Sequence, residues 1–306
     1  MNNTLSKIIK LYEEREDVTL TTYIIEDSQE MLKGVKRPAI LICHGGAYLG
    51  SSDREAEPVA LRFAAMGYHS FVLRYSVYFE GKPGFLKPGE KHEERKEHCI
   101  HPNPMREIGK FMLIIRGNAE EWKVDTDKIA LCGFSAGAHN CAMYSVYWHT
   151  PVIYAYFKQK PEVFKPAAII LGYMLSDYFL MKENKKEEFS TVLFDLVNLA
   201  FTGNSNPSDT TLDEISPALH VTENTPPMVL WATSADELVP VEKTTRMATT
   251  LAQKNIPFEV HIFEKGDHGL SLADQSSSGI MTQMDMDAAK WVSMAECWLN
   301  KRFALQ

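Results

Sequence analysis

The chain has 306 residues, 45% of them hydrophobic and 24% charged, with a formal net charge of −8 and a pI near 5.7. That acidic balance, without any Lys/Arg block, argues against nucleic acid or an anionic membrane as partner, since both call for a basic face. No stretch approaches the ~18 apolar residues of a membrane-spanning helix, the opening MNNTLSKIIKLYEERED lacks the apolar core of a secretory signal, and five cysteines without framework spacing read as free thiols in a reducing cytoplasm.

In chain order, residues 18–25 predict an antiparallel strand, and 38–43 (PAILIC) form a continuous apolar run, as a strand buried on both faces requires. Helical spacing over 53–66 ends at Gly67, suited to a C′ position. A second apolar run follows at 69–75 (HSFVLRY). Residues 77–104, rich in Gly, Pro and charge, break the alternation and read as a long loop or small excursion, either flanking the substrate cleft or plain surface. Then come a helical pattern at 106–122, a strand at 128–132 (KIALC), a helix at 136–147 and a strand at 167–172 (AAIILG). The stretch 173–215 is too long for a plain crossover; within it 190–201 is amphipathic, with Ser190 placed as an N-cap, so the segment reads as a small helical cap over the sheet edge. Strand 228–233, helix 242–254, strand 258–263 and helix 284–302 complete the chain. The alternation predicts one α/β domain over 1–306, a mostly parallel sheet flanked by helices, with a cap insertion at about 173–215.

The chemistry gathers at strand ends. Gly133-Phe134-Ser135-Ala136-Gly137 matches G-x-S-x-G between a strand and a helix, where a sharp turn exposes a serine hydroxyl and leaves no room for side chains two residues to either side. Ser135 is the expected nucleophile. His44-Gly45-Gly46-Ala47-Tyr48 follows PAILIC directly; its glycines allow backbone amides to approach an oxyanion, and donation is assigned to Gly46, Ala47 and Ala136. His44 reads as a brace of that loop rather than a base, and Tyr48 either lines the acyl pocket or packs. A serine hydroxyl needs a base: of ten histidines, His268 in Gly266-Asp267-His268-Gly269 lies a short loop past the last strand. Its orienting acid is Asp236, just past the 228–233 strand, with Glu237 as the competing carboxylate and Asp267 as a turn residue. His92, His98, Cys99 and His101 cluster in the long loop, but their spacing matches no closed zinc set. Cys43, Cys132 and Cys141 read as small buried hydrophobes. No cofactor or metal is called for.

Together HGGAY, GFSAG, Asp236-Glu237-Leu238-Val239-Pro240 and Gly-Asp-His-Gly resemble the small-cap serine esterases of the α/β-hydrolase superfamily, in the acetyl-xylan and feruloyl esterase-like branch of sugar and lipase/esterase-like enzymes. Ser216-Pro217 and Val239-Pro240-Val241-Glu242 are similar to that branch too, and the resemblance runs from about Pro38 to the C-terminus. It implies the α/β-hydrolase fold and a serine carboxylesterase that removes acetyl or other short acyl groups from sugars or small alcohols through an acyl-enzyme. The fourth residue of the oxyanion motif is Ala47 where the family pattern has glycine, which leaves the amide in place. The rival readings are an amidase or peptidase-like serine hydrolase and an inactive binding protein. A small-molecule ester is the expected partner, and a homodimer is the commonest assembly for a soluble enzyme.

Overall fold

The computed structural model describes residues 6–30, 33–81, 92, 94–183 and 188–303, with backbone only at 188–191. Eight strands form one sheet: β1 (Ser6–Tyr12), β2 (Arg15–Tyr23), β3 (Arg37–Cys43), β4 (His69–Arg74), β5 (Val124–Phe134), β6 (Ala168–Gly172), β7 (Met228–Thr233) and β8 (Phe258–Phe263). Their spatial order is β1-β2-β4-β3-β5-β6-β7-β8. β1 and β2 pair antiparallel, as do β2 and β4; all other pairings are parallel. This is the α/β-hydrolase architecture. The chain reverses direction across the sheet at β3, and loops from its central strands open together at their C-terminal ends, where open α/β sheets hold ligands.

The two sheet faces explain the continuous apolar runs. Ala39, Leu41 and Cys43 enter one core, and Ile40 and Ile42 the other. The first core packs against α2 (Asn103–Gly117), α3 (Ala136–Tyr147), α4 (Pro151–Phe157) and α8 (Glu242–Gln253) through Ile108, Phe111, Cys141, Ile153 and Met247; the second packs against α1 (Glu57–Ala65) and α9 (Trp291–Phe303). Trp231 of β7 stacks on Trp291 of α9 with ring centroids 5.1 Å apart. Both rings are fully buried. Cys43, Cys99, Cys132 and Cys141 are buried thiols and Cys297 is exposed. Among the described residues no helix is long and apolar enough to cross a membrane.

Several boundaries differ from the sequence reading, each for a local reason. β1 was not anticipated: it is the outer edge, paired only with β2, and leaves Ile8 two-thirds exposed, so it carries no clean buried face. The helix predicted at 53–66 is a short 3-10 turn, Asp53–Glu55, followed by α1, because Glu55 turns inward and is buried. Gly67 does adopt positive φ, 94°, at the helix end. The last helix starts at Trp291 rather than 284. Asp285 Oδ1 accepts from the amides of Asp287 and Ala288 at 3.0 and 2.7 Å, and these side-chain bonds replace a helical turn.

Between β6 and β7 lie α5 (Tyr178–Glu183), α6 (Glu188–Thr202) and α7 (Asp209–Glu214), the helices of the expected cap. α6 begins two residues before Ser190, which therefore lies inside its first turn and is not the N-cap. The cap is tied down where it rejoins the body: Ser216 Oγ accepts from Tyr178 N at 2.8 Å and donates to Leu212 O at 2.6 Å. Of the 77–104 segment, residues 82–91 and 93 lie outside the described residues. Its near end pairs with the loop after β3, Tyr78 N to Tyr48 O and Phe79 N to Leu49 O at 2.8 and 2.9 Å. Its far end meets α6, His101 N to Phe201 O at 2.7 Å.

Candidate active site

Ser135 sits between β5 and α3 with φ 51° and ψ −120°, a conformation that costs an L-residue of order 1–3 kcal/mol. The surrounding packing imposes it. A Cβ on Gly133 would lie 2.4 Å from Gly137 O, and one on Gly137 would lie 2.2 Å from Cys43 O. Both glycines are demanded by close backbone approach, of β5 to α3 and of α3 to β3. The Ser135 amide donates to Gly172 O at 3.0 Å, so it is spent on the sheet. The hydroxyl stands free of the backbone at the N-terminus of the twelve-residue α3, where the helix dipole favours negative charge.

Ser135 Oγ lies 2.8 Å from His268 Nε2, and His268 Nδ1 lies 2.7 Å from Asp236 Oδ2. A carboxylate can only accept, so Nδ1 carries the proton and Nε2 presents its lone pair to the serine hydroxyl. Asp236 is itself fixed, since its Oδ1 accepts from the amides of Leu238 and Val239 at 3.0 and 2.9 Å. The loops carrying the acid and the histidine are joined by Thr233 Oγ1, which donates to Gly266 O at 2.6 Å. Gly266 takes φ 120° there, and a Cβ on it would lie 2.5 Å from the Leu270 side chain. Glu237 and Asp267 are exposed, and it is Asp236 that meets His268.

The loop after β3 presents Gly46 (φ 121°), Ala47 (φ 58°) and Tyr48 (φ 58°) in left-handed conformations. Among the described residues the amides of Gly46, Ala47 and Ala136 donate to no acceptor, which leaves them open to a ligand oxygen. His44 is fully buried and stacked on Tyr75 with centroids 4.6 Å apart. Its Nδ1–H donates to Gly45 O at 2.7 Å, and burial pushes its pKa down to about 4, so it stays neutral. Tyr48 packs: it is 1% exposed, stacks on Phe201 of α6 at 4.1 Å and donates its hydroxyl to His139 Nδ1 at 2.8 Å. His139 Nε2–H in turn donates to Ile215 O at 2.8 Å, and burial holds its pKa down to about 3.

The histidines and cysteine of the long loop go to separate partners. His92 lies against Tyr78 and Phe79, His98 Nε2 is 3.6 Å from Glu80, Cys99 Sγ donates to Ala200 O at 3.3 Å, and His101 Nε2 is 3.4 Å from Glu214. Two residues that no motif pointed to border the site. Glu55, 3% exposed, accepts from Gly45 N at 2.8 Å with Oε2 and from Tyr173 Oη at 2.6 Å with Oε1. The Tyr173 ring meets the His268 ring edge-on at 5.0 Å.

Comparison with known proteins agrees with this architecture. The BD-FAE family model matches residues 94–251, just over half of the chain. Among curated proteins, endo-1,4-beta-xylanase B of Butyrivibrio fibrisolvens is 30% identical over 251 residues, 80% of this chain but 34% of that protein. The chain thus spans about a third of the length of that relative. Among solved structures, an alpha/beta hydrolase enzyme from a Medee basin deep-sea metagenome library is 31% identical with a TM-score of 0.70, covering 98% of each chain. A carboxylesterase from Lactobacillus plantarum is 25% identical with a TM-score of 0.78 and 98% of each chain covered. An acetyl ester-xyloside bifunctional hydrolase from Caldicellulosiruptor lactoaceticus is 25% identical with a TM-score of 0.70 and 96% of each covered. With its eight-stranded, mostly parallel sheet, this chain has the α/β-hydrolase fold and belongs to the BD-FAE family.

Proposed function

We propose that the protein is a serine carboxylesterase that hydrolyses short-acyl esters, acetyl esters above all, of sugars or small alcohols. The observation that carries this is the chain of contacts from Ser135 Oγ through His268 to Asp236 at 2.8 and 2.7 Å. His268 takes the Ser135 proton as Oγ attacks the ester carbonyl. The amides of Gly46, Ala47 and Ala136 hold the oxyanion of the tetrahedral intermediate. His268 then protonates the leaving alcohol, and water repeats the sequence on the acyl-enzyme. Asp236 holds the histidine in the tautomer that accepts from serine.

The names of relatives join acyl-ester cleavage to xylan chemistry. Hydrolysis of 4-nitrophenyl esters from acetate to octanoate, with Ser135→Ala as control and an aminoacyl anilide alongside, tests the reading. Turnover that is fastest on acetate and lost in the variant is expected. Anilide cleavage in place of ester cleavage would make the protein an amidase, and full activity in Ser135→Ala would overturn the mechanism.

A further inference from the structure

The loop that carries the amides and the loop that carries His268 come from opposite ends of the sequence, and one short turn grips both. In the 3-10 turn Asp53–Glu55, Glu55 accepts from Gly45 N of the amide loop and from Tyr173 Oη. Tyr173 Oη accepts in turn from Ser271 N at 3.0 Å, three residues beyond His268. Arg54 completes the grip: Nη2 donates to Gly269 O at 2.9 Å and Nε to Ser277 O at 2.7 Å, while Ser271 Oγ donates to Arg54 O at 2.6 Å.

Two features mark this bridge as more than packing. Glu55 is almost fully buried, yet among the described residues no cation lies within ion-pair distance of it. A buried carboxylate without a cation is costly, and here it is held by hydrogen-bond donors from two loops. The bridge's own Tyr173 and Ser271, and residues close by in the two loops it ties, are also strained. Ala47, Tyr48, Tyr173, Ser271 and Ala273 all take left-handed φ, between 38° and 58°, without being glycine. Such residues persist only where surrounding contacts over-determine them.

Building on the serine-esterase reading above, we propose that Glu55 and Tyr173 are positioning residues for catalysis: their hydrogen-bonded bridge sets the oxyanion amides and His268 in register with Ser135. Glu55 acts on the amide side, because the peptide it holds at Gly45 directly precedes Gly46. Tyr173 acts on the histidine side, through its ring against His268 and its hydroxyl on the Ser271 amide. Neither residue touches the reacting atoms. The effect of losing them is therefore on kcat, through misaimed donors, rather than on substrate affinity.

The test compares Glu55→Gln, Glu55→Leu and Tyr173→Phe with wild type on 4-nitrophenyl acetate, with rates normalised to Ser135 titrated by a fluorophosphonate. Tyr173→Phe keeps the ring and loses the bridge; Glu55→Gln keeps one of two bonds; Glu55→Leu keeps neither. We expect kcat to fall about 10- to 100-fold in Tyr173→Phe and Glu55→Leu and less in Glu55→Gln, with KM within about twofold. Affinity for a trifluoromethyl ketone, which places an oxyanion in the hole, should fall in step with kcat/KM. The downfield Nδ1–H resonance of His268 should shift in Tyr173→Phe. A merely structural role would lower the melting temperature and the titratable fraction while leaving the normalised kcat and the resonance unchanged, and that result overturns the inference. Should Glu55→Leu not fold, Tyr173→Phe decides alone. The two levels fail differently: activity that survives Ser135→Ala sinks the esterase reading, whereas Ser135-dependent turnover untouched by Tyr173→Phe sinks only the bridge.

Discussion

Acidification from about pH 7 to about pH 4.5 should cost the fold about 5 kcal/mol, and the sum behind that figure can be taken apart by one substitution. His44, His69 and His139 are all buried, and burial holds their pKa values down to about 4, about 4 and about 3. An unfolded histidine protonates near pH 6.5. Below that value the unfolded chain binds protons that the folded chain does not, so stability drains away as pH falls, by about 2–3 kcal/mol for each histidine at pH 4.5. Glu107 works in the opposite sense. It is 1% exposed, its carboxylate accepts from Ser76 N and Oγ at 2.7 and 2.5 Å, and burial pushes its pKa up to about 7. Between its unfolded value near 4.5 and pH 7 the folded chain holds the extra proton. Stability from Glu107 therefore grows as pH falls through that window and is lost as pH rises, again by about 2–3 kcal/mol. Urea melts across this range should show the net loss in wild type and a steeper loss, about 7 kcal/mol, in Glu107→Gln, which no longer titrates. Equal pH slopes in the two proteins would refute the assignment to Glu107. Ring C–H resonances of His44, His69 and His139 that titrate near pH 6.5 would refute the histidine half.

Two substitutions test the geometry around Ser135. In Gly137→Ala the new Cβ would lie 2.2 Å from Cys43 O and 2.3 Å from His44 O, both backbone atoms of β3 and its loop, so α3 must withdraw. We expect a loss of about 3 kcal/mol or more in denaturant unfolding, with esterase activity falling alongside; a loss under about 1 kcal/mol would show that the helix and strand are not in contact there. Asp236→Asn keeps an oxygen for the Leu238 and Val239 amides but no longer enforces the Nδ1–H tautomer of His268. A fall of about 10⁴-fold in kcat with a near-native melting temperature is expected, and activity retained here but lost in Glu237→Gln would move the orienting role to Glu237.

Much of this molecule is written in short stretches of sequence. A strand buried on both faces must be apolar at every position, so PAILIC, AAIILG and MVLWAT announce β3, β6 and β7 without help from the rest of the chain. The glycines beside Ser135 are equally local, because the turn between β5 and α3 admits no side chain at either. Strand β1 was invisible for the converse reason: an exposed edge with one neighbour imposes no burial pattern on its residues. The start of α9 was misplaced because Asp285 satisfies the next amides with its own side chain, a competition that periodicity does not register.

What only the tertiary structure decided is which distant groups meet, and in which direction their side chains point. Tyr48 could have lined a pocket or packed; the ring stacked on Phe201, 153 residues away in a different layer, settles that it packs. Glu55 and Tyr173 carry no motif, being one acid among 40 acidic residues and one of twelve tyrosines. Their meeting, 118 residues apart, exists because the sheet order sets β3 two strands from β6 and turns both loops to the same edge. Local sequence specifies backbone chemistry within a few residues. The alignment of amide loop, serine and histidine depends on contacts made only after the sheet has assembled, and no short stretch of the chain contains them.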